Sequence, residues 1–227
     1  MRSAQAASGV SGLTLAIDAS TYVGTVAVLR DGVLVASREA VMRGEQEERL
    51  MPAVLAALAD ARAVPRDVRR VICGGGPGSF TSLRIAAGIA KGVAHGAGVP
   101  LFAVSSLALV AAGAQPALAA GRYVAALDAM RGERYAQPVT VHADGQVTTD
   151  GAAALASVEQ LAATGLAVIG PLEAEARPPH ARGVAALLGM ILREGPVDLD
   201  GWEPSYGRLA EAQVRWEAAH GRPLPNG

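Results

Sequence analysis

The sequence predicts an α/β protein built from two related lobes, each opening with three strands and continuing into alternating helix and strand, with the second lobe reduced. An ordered repeat is the first reason. AIDAS…TVAVLRDGVLV and AALDAM…PVTVHADGQV match strand for strand; in both, the first strand ends in Asp-Ala and the hairpin turns at Asp-Gly. The second reason is the alternation between the copies, where helical and strand patterns succeed one another and imply partly parallel pairing behind an antiparallel hairpin. The third is size: 227 residues, 51% of them hydrophobic, suffice for a real core and two lobes of about a hundred residues each.

Taken in order, Leu13-Asp18 is an apolar strand ending in a carboxylate, followed by Gly24-Arg30, a turn at Asp31-Gly32 and Val33-Ala36. A helix over about Glu47-Ala61 follows. Glu45, Glu47 and Glu48 supply an acidic first turn that complements the helix dipole, ahead of an apolar stripe of Leu50, Met51, Val54, Leu55 and Leu58. Strand Val71-Cys73 leads through a glycine turn into a long helix, then strand Leu101-Val104 and a helix begun at Ser105-Ser106. The second copy runs Tyr123-Asp128, Arg134-His142, a turn at Asp144-Gly145 and Val147-Thr149. Beyond it lie a helix around Ser157-Ala163, a strand at Leu166-Ile169, a helix near Gly183-Arg193, a connector at Pro196-Pro204 and a final helix over Arg208-His220. The expected division is a leader at 1–12, a first lobe at 13–115, a second at 116–200 and a tail at 201–227.

The stretch Val71 to Gly98, VICGGGPGSFTSLRIAAGIAKGVAHGAG, is the most informative. Its strand, glycine turn and helix, with Ser79 or Thr81 as cap, have the outline of a phosphate cradle. A P-loop needs Gly-Lys-Ser/Thr after the glycines, and the only lysine, Lys91, lies well inside the helix. A nucleophile elbow needs G-x-S-x-G, and Ser79 follows Gly78 directly. The helix carries one apolar stripe of Leu83, Ala86, Ala87, Ala90, Val93 and Ala94, and a second of Ile85, Gly88, Ile89, Gly92 and Gly96. Each interior glycine costs about 1 kcal/mol relative to alanine, which points to close approach of another backbone, either a neighbouring helix of this chain or a partner subunit.

Net charge is −1, so no global positive field draws the chain onto nucleic acid. Any role on RNA is expected to run through a partner. The single cysteine, Cys73, excludes an intrachain disulfide and fits a reducing, cytoplasmic compartment. MRSAQAASGVSG lacks the apolar core of a signal peptide and reads as a disordered leader. From Gly92 to Gly121 no residue carries a fixed charge, but Gly96, Gly98, Pro100, Gly113 and Pro116 break the run, which excludes a membrane span. His95, His142, His180 and His220 show no metal-ligand spacing, so neither metal nor cofactor is expected. Asp18 and Asp128, at equivalent strand ends, are either carboxylates facing one another across a cleft or ordinary turn caps. Trp202, Tyr206 and Arg208 read first as a tail docked on its own domain and second as a ligand contact.

Ile17-Asp18 with its hairpin, GGGPGSFTSLRIAAGIAKG, Val104-Ser105-Ser106-Leu107, Asp128-Ala129 with Gly132-Glu133 and Tyr135, and Pro204 with Tyr206 and Arg208 together resemble the TsaB (YeaZ) family of bacterial proteins required to make threonylcarbamoyladenosine in tRNA. The resemblance implies a two-lobed fold of the actin-like, Hsp70 and sugar-kinase type. It implies a non-catalytic scaffold bound to TsaD, the catalytic subunit, with the ATPase TsaE joining; the balanced charge leads us to expect tRNA to be reached only through the complex, and the apolar helix pair a homodimer when the chain is isolated. The family motif Gly76, Pro77, Gly78, Ser79, Phe80, Thr81 and Arg84 is then a structural turn, and the expected partner face comprises Leu50, Val54 and Leu58 with Leu83, Ile85, Ile89, Gly92 and Val93. The chain departs from the family pattern at Gln46-Glu47, Ser82, Ala86 and Met130-Arg131. Rival readings are an ATP-dependent kinase or phosphatase of the same fold, which needs glycine-rich turns after Asp18 and Asp128, and a metal-dependent protease-like enzyme, which needs a metal dyad or a Ser/His arrangement.

Overall fold

The computed structural model describes residues 9–42 and 48–207. Gln46-Glu47, Glu45, most of the leader, Arg208 and the expected last helix lie outside them. The first sheet is ordered β3-β2-β1-β4-β5, from β1 (Leu13–Asp18), β2 (Val23–Arg30), β3 (Val33–Val41), β4 (Val68–Gly74) and β5 (Leu101–Val104). Strands β1 to β3 are antiparallel, whereas β4 and β5 run parallel to β1. The second sheet repeats this plan as β8-β7-β6-β10, from β6 (Gly121–Asp128), β7 (Glu133–Val141), β8 (Val147–Thr149) and β10 (Ala167–Ile169), with β10 parallel to β6. This doubled antiparallel-then-parallel sheet is the two-lobed actin-like, sugar-kinase class of α/β fold.

One strand escapes the sequence pattern. β9 (Ala154–Ser157) pairs with the start of β7 on the edge whose far end is taken by β8. In the first lobe a continuous β3 covers the whole of β2, so β8 and β9 together do the work of one strand interrupted at 150–153. Its alanines neither alternate with polar residues nor favour the pleated backbone, which is why the pattern is silent there.

Helix α1 (Leu50–Asp60) begins later than expected, because Glu48, just outside it, accepts the backbone N–H groups of Leu50 and Met51. Helix α2 (Phe80–Ala97) buries Leu83, Ala86, Ala90 and Ala94 against the first sheet and ends at Gly98, whose φ of 64° closes the last turn. Helices α3 (Ser106–Ala112) and α5 (Val184–Glu194) lie between the sheets. Together with Ala16, Leu29, Ile72 and Phe102 of one sheet and Ala125, Leu127, Val139 and Ile169 of the other, they make one continuous apolar core. α4 (Val158–Ala163) is capped by Ser157, whose Oγ accepts the Gln160 N–H while Gln160 Oε1 accepts the Ser157 N–H. No helix among the described residues is long and apolar enough to cross a membrane.

The lobes are also joined by polar contacts around His180. Ala181 N–H donates to Thr25 Oγ1 at 2.9 Å, and His180 is buried beside it. His180 Nδ1 accepts from the Arg182 N–H at 3.0 Å, so the ring proton sits on Nε2 and faces Glu39 Oε1 at 3.3 Å. Burial, aided by the Arg182 charge, lowers its pKa to about 4. A depressed histidine pKa means that the unfolded chain binds the proton more tightly. Its contribution to stability is therefore complete above about pH 6.5 and is lost as pH falls toward 4, by roughly 2–3 kcal/mol. Urea unfolding of wild type and His180→Gln between pH 7 and 4 is expected to show the two stabilities converging, and parallel curves would refute this.

Candidate partner-binding face and the closed inter-lobe mouth

The glycine turn between β4 and α2 is held from beneath by a buried carboxylate. Asp18, at the end of β1, is fully buried; its Oδ1 accepts the Ser106 hydroxyl at 2.6 Å and its Oδ2 accepts the Ser20 N–H at 3.1 Å and hydroxyl at 2.8 Å. Burial raises the Asp18 pKa, opposed by the hydrogen bonds from Ser106 and Ser20. Burial, with the Asp18 charge adding to it, likewise pushes the Cys73 thiol well above its ordinary range, so this cysteine is an unreactive core residue. Ser106 in turn accepts the Gly76 N–H at 3.1 Å and donates its own N–H to Gly76 O at 2.9 Å. A side chain at Gly74 would collide with the Asp18 carboxylate, which accounts for that glycine.

Three of the turn's amides are committed to protein acceptors: Gly75 N–H to Val104 O at 2.7 Å, Gly76 N–H to Ser106, and Ser79 N–H to Ser20 O at 2.8 Å. Ser79 precedes α2 without capping it through its side chain; its Oγ lies 3.1 Å from Ser82 Oγ. Thr81 is exposed inside the helix, so neither residue caps as the sequence suggests.

The segment 197–207 crosses the front of this turn. Val197 N–H donates to Leu101 O at 2.9 Å, Ser205 N–H to Gly75 O at 2.8 Å, and Lys91 Nζ to Asp200 O at 3.2 Å. Trp202 packs on the core of the first lobe. Tyr206 meets the Phe80 ring at 4.5 Å between centroids, with the Arg84 guanidinium 5.5 Å from the same ring. Tyr135 of the second lobe donates its hydroxyl to Tyr206 O at 3.4 Å. At Gly76, where φ is 84°, a Cβ would strike the Ser205 carbonyl. The tail therefore docks on its own chain, against Gly75 and Gly76 of the turn. Sequence alone gave no sign that Ser20 and Ser106 share one carboxylate; an Asp-x-Ser pair and a Ser-Ser helix start were the only traces.

Asp18 and Asp128 do not form a pair. Asp128 is exposed and accepts the Met130 N–H at 2.9 Å, as a turn cap does, whereas Asp18 belongs to the serine network. Among the described residues no group of three or more His, Cys, Asp or Glu could hold a metal ion.

The expected partner face divides. Leu50, Val54 and Leu58 of α1, with Leu83 and Val93 of α2, are buried in the chain's own core, so they serve internal packing and offer nothing to a partner. The helical stripe of Leu50, Val54 and Leu58 faces the sheet that formed around it, a choice that periodicity alone cannot make. Ile85 and Ile89 are half-buried and Gly92 is exposed on the opposite side of α2. There Gly88, Gly92 and Gly96 fall at four-residue intervals, and among the described residues a Cβ on any of them would meet nothing within 4 Å. No neighbouring helix of the described chain fills this ridge. On α1 the outward residue is Leu55, 47% exposed and absent from the expected set.

The fold and this turn define a two-lobed actin-like protein whose own tail crosses its glycine turn. A family model described as TsaD, tRNA N6-adenosine threonylcarbamoyltransferase, matches residues 41–178. The tRNA threonylcarbamoyladenosine biosynthesis protein TsaB of Escherichia coli is 41% identical over 121 residues, 53% of this chain and 52% of that protein. Its Bacillus subtilis counterpart is 36% identical over 126 residues, again 53% of this chain and 52% of the relative. These matches span about half the length of the relatives. A solved structure titled YeaZ from Pseudomonas aeruginosa superimposes with a TM-score of 0.70 at 29% identity, covering 86% of this chain and 99% of the other. A second, from the same organism and titled an uncharacterized protein with similarity to peptidase YEAZ, gives 0.73 at 27%, covering 87% and 100%. The chain belongs to the TsaB/YeaZ family.

Proposed function

We propose that this chain is a non-catalytic, cytoplasmic scaffold subunit in the synthesis of threonylcarbamoyladenosine in tRNA, pairing with a TsaD-like catalytic subunit and engaging a TsaE-like ATPase within the complex. The observation that carries this reading is the outward face of α2. Ile85 and Ile89, each part-covered by the chain's own core, stand beside the ridge of Gly88, Gly92 and Gly96 and offer apolar contact and close backbone approach to a second helix; the glycines weaken an isolated helix by about 1 kcal/mol each, and among the described residues nothing packs on them. The names of the relatives supply the pathway. The same face accounts for a homodimer in isolation, since an unpartnered apolar ridge finds its own copy.

A kinase or phosphatase of this fold would need free amides at the turn. Here those of Gly75, Gly76 and Ser79 are spent on Val104, Ser106 and Ser20, and Ser205 lies against Gly75 and Gly76. Calorimetry with ATP is accordingly expected to give no binding tighter than the millimolar range. A dissociation constant near 1 μM, about −8 kcal/mol, would revive the kinase reading.

The test of the pairing is co-expression with the TsaD homologue followed by size-exclusion chromatography with light scattering. A stable complex containing one copy of each chain per unit is the expected outcome, with a homodimer for the chain alone. Two proteins that elute separately at micromolar concentration would overturn it.

A further inference from the structure

We infer that the corner of the first lobe formed by Arg30, Arg62, Arg66 and Arg69 is a contact surface for the phosphate backbone of RNA. The inference rests on the pathway proposed above. Topology gathers these four residues at one end of the first sheet. Arg30 ends β2 and donates from Nη2 to Ala61 O at 3.0 Å, beside Arg62 in the turn after α1. Arg66 lies in the short 3-10 helix Pro65–Asp67 that leads into β4. Arg69 follows at the start of β4, and a Cβ on Gly12 would come within 2.9 Å of its Cγ. The register closes the group, since Leu13 pairs with Arg30 on one side and Val68 on the other.

All four arginines are exposed, and among the described residues Arg62, Arg66 and Arg69 have no carboxylate within 4 Å. The nearby carboxylates are held by backbone or by another cation. Asp31 Oδ1 accepts the Gly12 N–H at 2.7 Å, Asp67 Oδ2 accepts the Val64 N–H at 2.9 Å, and Asp60 pairs with Arg38 at 2.6 Å. Arg70, buried behind them, adds a further positive charge, donating to Gly9 O and Ser11 O. In a chain of net charge −1 this corner holds a local positive surplus. Guanidinium groups projecting from three different backbone segments suit a polyanion whose charges repeat along a line. The surplus is small, so the corner is an auxiliary contact, and the isolated chain binds RNA only when salt is low.

The experiment measures anisotropy of labelled tRNA against salt, from about 20 to about 200 mM, for the isolated chain and for its complex with the catalytic subunit. Arg62→Gln, Arg66→Gln and Arg69→Gln are combined in one variant, leaving Arg30 in place because it braces Ala61. The triple variant is expected to bind at least tenfold more weakly at low salt in both settings, with the logarithmic salt slope shallower by about two to three. A control pair in the second lobe, Arg122→Gln with Arg131→Gln, is expected to stay within twofold of wild type. Wild-type affinity in the triple variant overturns the inference, as does an equal loss in the control. Equal binding of the isolated chain to phosphatidylglycerol vesicles, lost in the same variant, would overturn it in favour of a membrane surface. If the catalytic subunit fails to pair, the proposed function fails, and the isolated-chain arm still decides this surface.

Discussion

Ile89→Glu is expected to abolish pairing with the catalytic subunit while leaving the chain folded. Ile89 sits at the edge of the core, half-buried, so a carboxylate there can turn to solvent in the free protein. Against a partner helix it would be buried without a counter-charge, weakening association by about 3–5 kcal/mol, a factor of 10² to 10³ or more. Gly92→Arg gives a sharper signature. With nothing among the described residues packed within 4 Å of a Cβ at Gly92, the larger residue fits, and arginine favours a helix over glycine by roughly 0.5–1 kcal/mol. This variant should melt at or above the wild-type temperature and still fail to pair. Leu50→Glu and Val54→Glu, buried in the core, should unfold the protein instead. Circular dichroism with light scattering separates these outcomes; wild-type pairing by folded Ile89→Glu and Gly92→Arg would assign this face to no partner.

Asp18→Ala is expected to destabilise the fold by about 2–4 kcal/mol. It leaves the Ser20 hydroxyl and N–H and the Ser106 hydroxyl buried without their acceptor, and unfastens the Ser106 bridge to Gly76. Asp18→Asn keeps the shape and one acceptor oxygen, so its effect should stay near 1 kcal/mol. The pH dependence runs opposite to that of His180. A carboxyl whose pKa is raised on folding binds its proton more tightly in the native state, so its contribution is complete below about pH 4 and is lost as pH rises through the raised value. Urea unfolding of the three proteins checks both points, and an Asp18→Ala protein as stable as wild type would mean that the turn is held by something else.

Most of the architecture was legible because this chain's strands are strongly apolar and its turns carry Asp-Gly. β1, β5 and β8 lie where the pattern sets them, and the repeat predicted the doubled sheet. Alanine-rich β9 escaped, as did the placement of α5 between the lobes, since a helix's apolar face does not declare which surface will cover it. The second stripe of α2 lies on a different face from the first, with Ile85 and Ile89 half-buried and Gly88, Gly92 and Gly96 exposed. The α1 stripe was misassigned to a partner because Leu50, Val54 and Leu58 are equally good core and equally good interface until β2 and β3 are in place. The docking of Ser205 on Gly75 arises only from tertiary packing, and the sharing of Asp18 by two serines far apart in sequence left no more than an Asp-x-Ser pair and a Ser-Ser helix start as local traces.

As a scaffold of the kind proposed, this chain is expected to be needed for the modification of tRNA without performing its chemistry. Reconstitution with tRNA, ATP, threonylcarbamoyl-adenylate as the donor, the catalytic subunit and the ATPase, omitting one protein at a time and reading the nucleosides by mass spectrometry, tests the proposal. The account predicts that threonylcarbamoyladenosine disappears when this chain is left out, returns with the wild-type chain or with Asp18→Asn, and does not return with Ile89→Glu. Full modification in its absence, or modification by this chain without the catalytic subunit, would contradict it.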